Sequence, residues 1–284
     1  MNVVSERQLL KDHRLAAKKW LGQNLLINKG YLNRIVLSSH IHPGEHIVEI
    51  GAGLGSLTEA LLNAGAHVTA IEIDAGFFRV LEEKFQSQSC VEIIHGDALK
   101  YDFRSLARRL GRLRVVANLP YSVSSRLLFR FVELRDVIQS AHVLLQREVA
   151  RRLVADVGAK DYGILTVLLG ITAQVNAAFD IPPAAFFPAP AVYSTFVSIA
   201  FPDAPIYPIP DSSLLVRLVK HAFRSRRKTL RNNLADADVL GCSTDVIKRA
   251  AHACSIDLGR RAETLSPEEF AHFAQQIALA RTPS

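Results

Sequence analysis

Between residues 46 and 146, short β-branched or apolar runs alternate with stretches of helical periodicity, and this rhythm constrains the fold more than any other feature. The runs 46–50, 67–73, 91–94, 114–117 and 141–146 read as strands, and 56–64, 77–85 and 124–135 as helices. Parallel strands cannot be joined by a tight turn. They need a crossover of about a dozen residues or more, which a helix supplies. The alternation therefore predicts an α/β architecture with helices on both faces of a parallel sheet. Further on, 174–181 and 192–201 flank the Pro-rich turn 182–190, an irregular connection expected to end in an antiparallel strand. Together these runs predict a seven-stranded sheet.

A chain of 284 residues, 49% of them hydrophobic, can bury one full core and leave material for a smaller second unit. Pro202, Pro205, Pro208 and Pro210 exclude a helix interior and a central strand. Residues 202–211 are therefore expected to form an extended linker between a first domain, 1–201, and a second, 212–284. In the second, Leu214, Leu215, Leu218, Val219, Ala222 and Phe223 recur at helical spacing, predicting a small helical bundle. Arg217, Lys220, Arg224, Arg227 or Lys228, and Arg231 are expected to line another face.

The net charge of +7 matters less than its distribution. Arg217, Lys220, Arg224, Arg226, Arg227, Lys228 and Arg231 fall in a stretch without Asp or Glu, and Arg104, Arg108, Arg109, Arg112 and Arg114 form a second such cluster. Arg7, Lys11, Arg14, Lys18 and Lys19 make a basic N-terminal arm over 1–24, with Trp20 as its packing anchor. An acidic polymer is the partner this pattern fits. Cys90, Cys242 and Cys254 are odd in number and far apart, and the ten histidines are scattered, so neither a disulfide framework nor a metal site is expected. The longest apolar stretch, 163–175, is too short to span a bilayer. With no export signal in view, a cytoplasmic protein is expected.

Glu49-Ile50-Gly51-Ala52-Gly53-Leu54-Gly55-Ser56 follows a strand and opens a helix, where small residues let the backbone turn sharply and come close to a ligand. In a dinucleotide-binding frame the third glycine would fall at Ser56, which weakens a nicotinamide reading. Glu72 ends the next strand, from where a carboxylate accepts ribose hydroxyls, a placement that also serves NAD. Asp97 ends the third strand and offers an acceptor for an adenine amino group. Singly each is equally an ordinary turn or cap residue; their register with the glycine loop makes a nucleoside cofactor the better reading.

Asn118-Leu119-Pro120-Tyr121 follows the fourth strand. An aromatic amine is a poor nucleophile because its lone pair is delocalised into the ring. Methylating one calls for acceptors that hold its N–H groups and for alignment with the donor rather than for a strong base. Asn118 Oδ1 and the Leu119 carbonyl suit that task, Pro120 stiffens the turn, and Tyr121 offers a face on which a base extruded from its stack can lie. Phe186 and Phe187 are candidates for its other face.

These residues resemble the bacterial ribosomal RNA small subunit (16S) adenine dimethyltransferases of the KsgA/RsmA type. The likeness runs through Gly22-Gln23-Asn24-Leu25-Leu26, Glu49 to Gly55, the Asn-Leu-Pro-Tyr tetrapeptide, Leu145-Gln146-Arg147-Glu148-Val149-Ala150, the stretch from Arg226 to Leu234, and Arg261-Ala262-Glu263. It implies a Rossmann-like class I methyltransferase domain with a small C-terminal helical rRNA-binding domain. It also implies S-adenosylmethionine as donor, without a metal, and Asn24, Leu26, Gly51, Gly53, Glu72, Asp97 and Asn118 as its contacts. Asn118, Leu119, Tyr121 and Phe186 would hold the target base, and Arg217, Lys220, Arg224, Arg226, Arg227, Lys228 and Arg231 would bind RNA. The implied reaction is dimethylation at N6 of two adjacent adenines in the 3′-terminal hairpin of 16S rRNA, by a monomer acting on an immature small subunit. An assembly checkpoint with secondary methylation and a large-subunit rRNA methyltransferase are the alternatives. One departure stands out: where the family has Lys-x-Asp-Ser, this chain has Ala191-Val192-Tyr193-Ser194.

Overall fold

The computed structural model describes residues 8, 10, 12, 13, 15, 23–209 and 211–281. Most of the basic arm (Arg7, Lys11, Arg14, Lys18, Lys19 and Trp20) lies outside the described residues, as does Pro210. The chain divides into two compact units, one of residues 1–150 with 176–200, the other of 151–175 with 201–284.

The first unit is built on β2 (His46–Ile50), β3 (His67–Glu72), β4 (Val91–His95), β5 (Leu113–Asn118), β6 (Ile138–Gln146), β7 (Gln174–Ile181) and β9 (Ser194–Ala200). They form a seven-stranded sheet in the order β4-β3-β2-β5-β6-β9-β7. Neighbours from β4 to β6 run parallel, and β9 runs antiparallel to β6, as the sequence predicts. The central strands are buried almost throughout: Ile47, Val48, Val115, Val116, Val143, Leu144 and Leu145 are at most 1% exposed. Continuous apolar runs of this kind belong to parallel strands covered on both faces. A separate two-stranded ribbon pairs β1 (Leu25–Leu26) with β8 (Phe186–Phe187), Leu26 opposite Phe186.

The crossovers are helices whose sequences explain them. In α3 (Ala75–Phe85) Phe77, Val80, Leu81 and Phe85 form the buried stripe, and Asp74 caps the start by accepting from the Gly76 and Phe77 N–H groups. Burying each such side chain contributes roughly 1.5–3 kcal/mol. The sequence reading omitted α4 (Phe103–Leu110), where only Phe103 and Leu106 are buried and arginines hide the period. Chain order places the switch between β2 and β5: the chain first builds outward through β3 and β4, then crosses to β5 on the other side. The carboxyl ends of β2 and β5 therefore flank the crevice where α/β sheets of this kind bind ligands.

In the second unit, α7 (Ile164–Thr172) packs with α8 (Ser212–Ala222) and α11 (Pro267–Arg281). Thr166, Val167, Leu168, Leu169, Ile171 and Thr172 are all buried, so this helix is apolar nearly all round and needs cover on every side. That is why 151–175 joins the C-terminal helices and the division is not the single linear one expected at 202–211. Residues 202–209 form neither helix nor strand. Among the described residues no helix is long and apolar enough to cross a membrane.

Candidate active site

The glycine loop leaves β2 with Gly51, Gly53 and Gly55 all at positive φ, 73°, 60° and 82°. Side chains rarely adopt that backbone, and two of the positions are also crowded. A Cβ on Gly53 would come within 2.7 Å of Leu25 Cδ2 and one on Gly55 within 2.6 Å of Phe85 Cε2, whereas one on Gly51 would meet the Pro120 ring at an ordinary 3.4 Å. The missing side chains thus let the Asn24-Leu25 segment and helix α3 close on the loop, while the tetrapeptide turn lies in ordinary contact with it.

Glu72 holds the loop in place. One carboxylate oxygen accepts from the Gly53 N–H and the other from the Asp74 N–H, both at 2.8 Å. Burial pushes its carboxyl above the ordinary range, against the pull of those donors. Glu49, at the end of β2, is completely enclosed with Thr58 Oγ1 2.6 Å away, and burial raises it to about 8, so it is mostly protonated at neutral pH. Asp97 accepts from the Leu99 N–H at 2.9 Å through Oδ1.

Asn118 is oriented by what its amide must donate. Its Nδ2 gives a hydrogen bond to the Asn24 carbonyl at 2.7 Å. That bond fixes which end of the amide is which, so Oδ1 is presented as an acceptor. Tyr121 is anchored at its far end, its hydroxyl 2.5 Å from the Oγ of the fully buried Ser194, and burial raises the phenol so that it stays neutral.

Gln23, Asn24, Leu25, Gly51, Gly53, Glu72, Ile73, Phe77, Asn118, Leu119, Pro120 and Tyr121 line one cleft of about 490 Å³. A second, of about 470 Å³, shares Gly51, Ile73 and Pro120 with it and adds Asp97, Ala98 and Leu99. Asn24, Gly51, Gly53, Glu72, Asp97, Asn118, Leu119 and Tyr121 are thus brought together around one crevice at the strand ends. Leu26 and Phe186 are not: they pair with each other and are buried in the core at 4% and 2% exposure. Ser194 and Ile73 were not singled out in the sequence. Ser194 was marked only by the Pro-rich turn before it and as the serine that ends the segment Ala191 to Ser194, and an isolated isoleucine carries no signal.

The basic stretch from Arg217 to Arg231 has a different form from the one expected. Helix α8 ends at Ala222, so Arg224, Arg226, Arg227 and Lys228 lie in a turn rather than on the continuing helix face, and Arg231 sits in the short α9 (Leu230–Asn233). All five are exposed, as is Lys220, while Arg217 is half-buried and bonded to Ser213 Oγ. Asn233, buried at 5% exposure, shapes the turn by donating to the carbonyls of Ala222, at 2.7 Å, and Ser225, at 3.0 Å.

Comparison with known proteins agrees with this arrangement. The model of the family described as "Ribosomal RNA adenine dimethylase" matches residues 14–279. A "Ribosomal RNA small subunit methyltransferase A" of Syntrophus aciditrophicus is 38% identical over 96% of this chain and 99% of its own length. One of the same name from Geobacter metallireducens is 40% identical over 94% and 98%. The solved structure of a dimethyladenosine transferase from Plasmodium falciparum shares the fold with a TM-score of 0.70, at 24% identity, covering 90% of this chain and 98% of that one. A glycine loop braced by Glu72, an aligned Asn118 and a match along almost the whole chain converge: it belongs to the ribosomal RNA adenine dimethylase family of methyltransferases.

Proposed function

We propose that this methyltransferase converts two adjacent adenines in the 3′-terminal hairpin loop of 16S rRNA to N6,N6-dimethyladenosine, as a monomer in the cytoplasm acting on an immature small subunit. The orientation of Asn118 carries this reading. With Nδ2 committed to the Asn24 carbonyl, Oδ1 is left to accept from the N6–H of an adenine laid against Tyr121, and the Leu119 carbonyl supplies a second acceptor for the other N–H. Holding both N–H groups draws the nitrogen lone pair out of the ring plane and toward the donor. No residue at the cleft needs to be a strong base, because the proton is lost after the bond has formed and the amine has become acidic.

The residues fit S-adenosylmethionine. Glu72 offers buried acceptor oxygens for ribose hydroxyls, Asp97 an acceptor for an adenine amino group, and Ile73 an apolar surface shared by both clefts. When bound, the donor supplies an activated methyl on a cationic sulfur. The chain's task is alignment, by a loop that Glu72 locks and a turn that Pro120 stiffens.

The small-subunit assignment is supported by the two bacterial relatives, and the exposed basic turn suits docking on RNA. Incubating the protein and donor with separated immature small and large subunits, then mapping methylated nucleotides by mass spectrometry, tests it. Dimethyladenosine at two adjacent positions near the 3′ end of 16S rRNA is expected. Methylation confined to large-subunit rRNA would refute the assignment.

A further inference from the structure

Arg147 and Tyr193 form a pair at the same edge of the sheet as the crevice, and neither has a part in the chemistry above. The guanidinium carbon of Arg147 lies 4.9 Å from the centre of the Tyr193 ring, and the Arg147 N–H donates to the Tyr193 carbonyl at 2.9 Å. Asp180 is 3.7 Å from the guanidinium and is itself held by Thr195 Oγ1 at 2.5 Å, so the pair is braced from below. Yet both partners remain open to solvent, with Tyr193 43% exposed beside Val192, also 43%, and the Arg147 side chain 43% exposed. Here a ring and a guanidinium in cation–π contact are tied together at the backbone and left open to solvent.

Their position is set by strand order. Asn118 ends β5, Arg147 follows the end of β6, and Tyr193 precedes β9, which runs antiparallel so that its start lies at the carboxyl edge of the parallel strands. Tyr193 adjoins Ser194, the residue that anchors the Tyr121 hydroxyl. Two strand spacings, about 10 Å, separate β9 from β5, a span covered by roughly one or two nucleotides of unstacked single strand. Arginine planes and tyrosine rings are the surfaces on which splayed bases stack, and a cation beside the ring also suits the neighbouring phosphate.

We infer that Arg147 and Tyr193 form a base-stacking subsite for a nucleotide flanking the target adenines, resting on the substrate reading above. Charged side chains alone at this place would offer no face for a base; the aromatic ring adds a surface that selects an unpaired base. Tyr193 is therefore a specificity and affinity residue, and the chemical step does not depend on it.

The test uses the full chain and a synthetic RNA hairpin with two adjacent adenines in its loop, carrying the fluorescent base 2-aminopurine either at a target position or at one flanking position at a time. Wild type should quench one flanking position. Tyr193→Ala and Tyr193→Leu should relieve that quenching, Tyr193→Phe should retain it, and the target-position signal should survive in all three. On immature small subunits Tyr193→Ala should raise KM about tenfold and leave kcat nearly unchanged, with an unaltered melting temperature. An intact target signal with flanking emission identical in wild type and Tyr193→Ala would overturn the subsite alone. Absence of dimethyladenosine when wild type is incubated with donor and immature small subunits would instead sink the substrate reading, and the subsite with it.

Discussion

Two arginine-rich stretches look alike in the sequence and behave oppositely in the fold. In 104–114, Arg104 pairs with Asp136, Arg109 with Glu92 at 2.6 Å, and Arg114 with Glu45, while Arg112 donates to the Arg135 and Ile138 carbonyls. In 224–231, none of Arg224, Arg226, Arg227, Lys228 and Arg231 meets a carboxylate among the described residues, and a buried asparagine holds the turn that displays them. Four arginines of the first cluster are engaged within the fold, and Arg108, its side chain 72% exposed, lies 3.9 Å from Asp102. The second, where Arg226 donates to the Lys160 carbonyl at 2.6 Å, keeps its charge without a neutralising acid among the described residues. Acid-free sequence is therefore a poor guide to a nucleic-acid surface, because the neutralising acids can come from 17 to 69 residues away.

Substitutions should separate the two. The largest effect is expected from combining Arg224→Ala, Arg227→Ala and Lys228→Ala: affinity for immature small subunits should fall about 10³-fold, and the slope of log affinity against log salt should lessen by about 2 to 3. Thermal melting should not change, and an unchanged salt slope would break the comparison. Arg114→Ala should do the reverse. Its side chain is 14% exposed and also donates to the Ser39 and His40 carbonyls, so its loss should cost about 2–3 kcal/mol by denaturant titration with RNA affinity untouched.

The same substitution has a pH signature. Burial alone would raise the Glu45 carboxyl, but the His42 N–H and the Arg114 guanidinium hold it below its ordinary value of 4.5. A carboxylate lowered in the folded state adds stability above the unfolded pKa and loses it as pH falls through the folded one. Wild type should therefore lose stability below about pH 4.5, and Arg114→Ala should lose less over that window.

Asn233→Ala sharpens the contrast from the other side, since it removes no charge. Leaving the Ala222 and Ser225 carbonyls without their donor should cost about 1–2 kcal/mol and weaken RNA binding severalfold; RNA binding at wild-type strength would mean the turn needs no shaping. Arg109→Ala is expected to have the smallest effect. Its side chain is 57% exposed, and its pair with Glu92 is worth less than about 1 kcal/mol after screening, with RNA binding unchanged.

The same asymmetry governs how legible the molecule is from its sequence. The sheet could be read because its strands are buried on both faces and apolar from end to end, and because β9 is announced by the prolines before it. Gly51, Gly53, Glu72, Asp97, Asn118 and Tyr121 could be read because each closes a strand or begins the turn after it. Helix α4 was missed because its exposed face is nearly all arginine, and the departure of 151–175 to the second unit shows only once the burial of α7 is known. Phe186 is placed beside Leu26 in the core, since the ribbon that joins them needs an apolar partner there. Ser194 and the Arg147–Tyr193 pair depend on strand neighbours far apart in the chain, which no local pattern encodes.

The account turns on Asn118 presenting an acceptor to the adenine amine. Single-turnover methyl transfer at saturating donor and immature small subunit, compared between wild type and Asn118→Ala, tests this most directly. The rate constant should fall by about 10²–10³-fold or more while RNA affinity stays within about twofold. A rate within about threefold of wild type would contradict it, for it would mean that another group aligns the nucleophile.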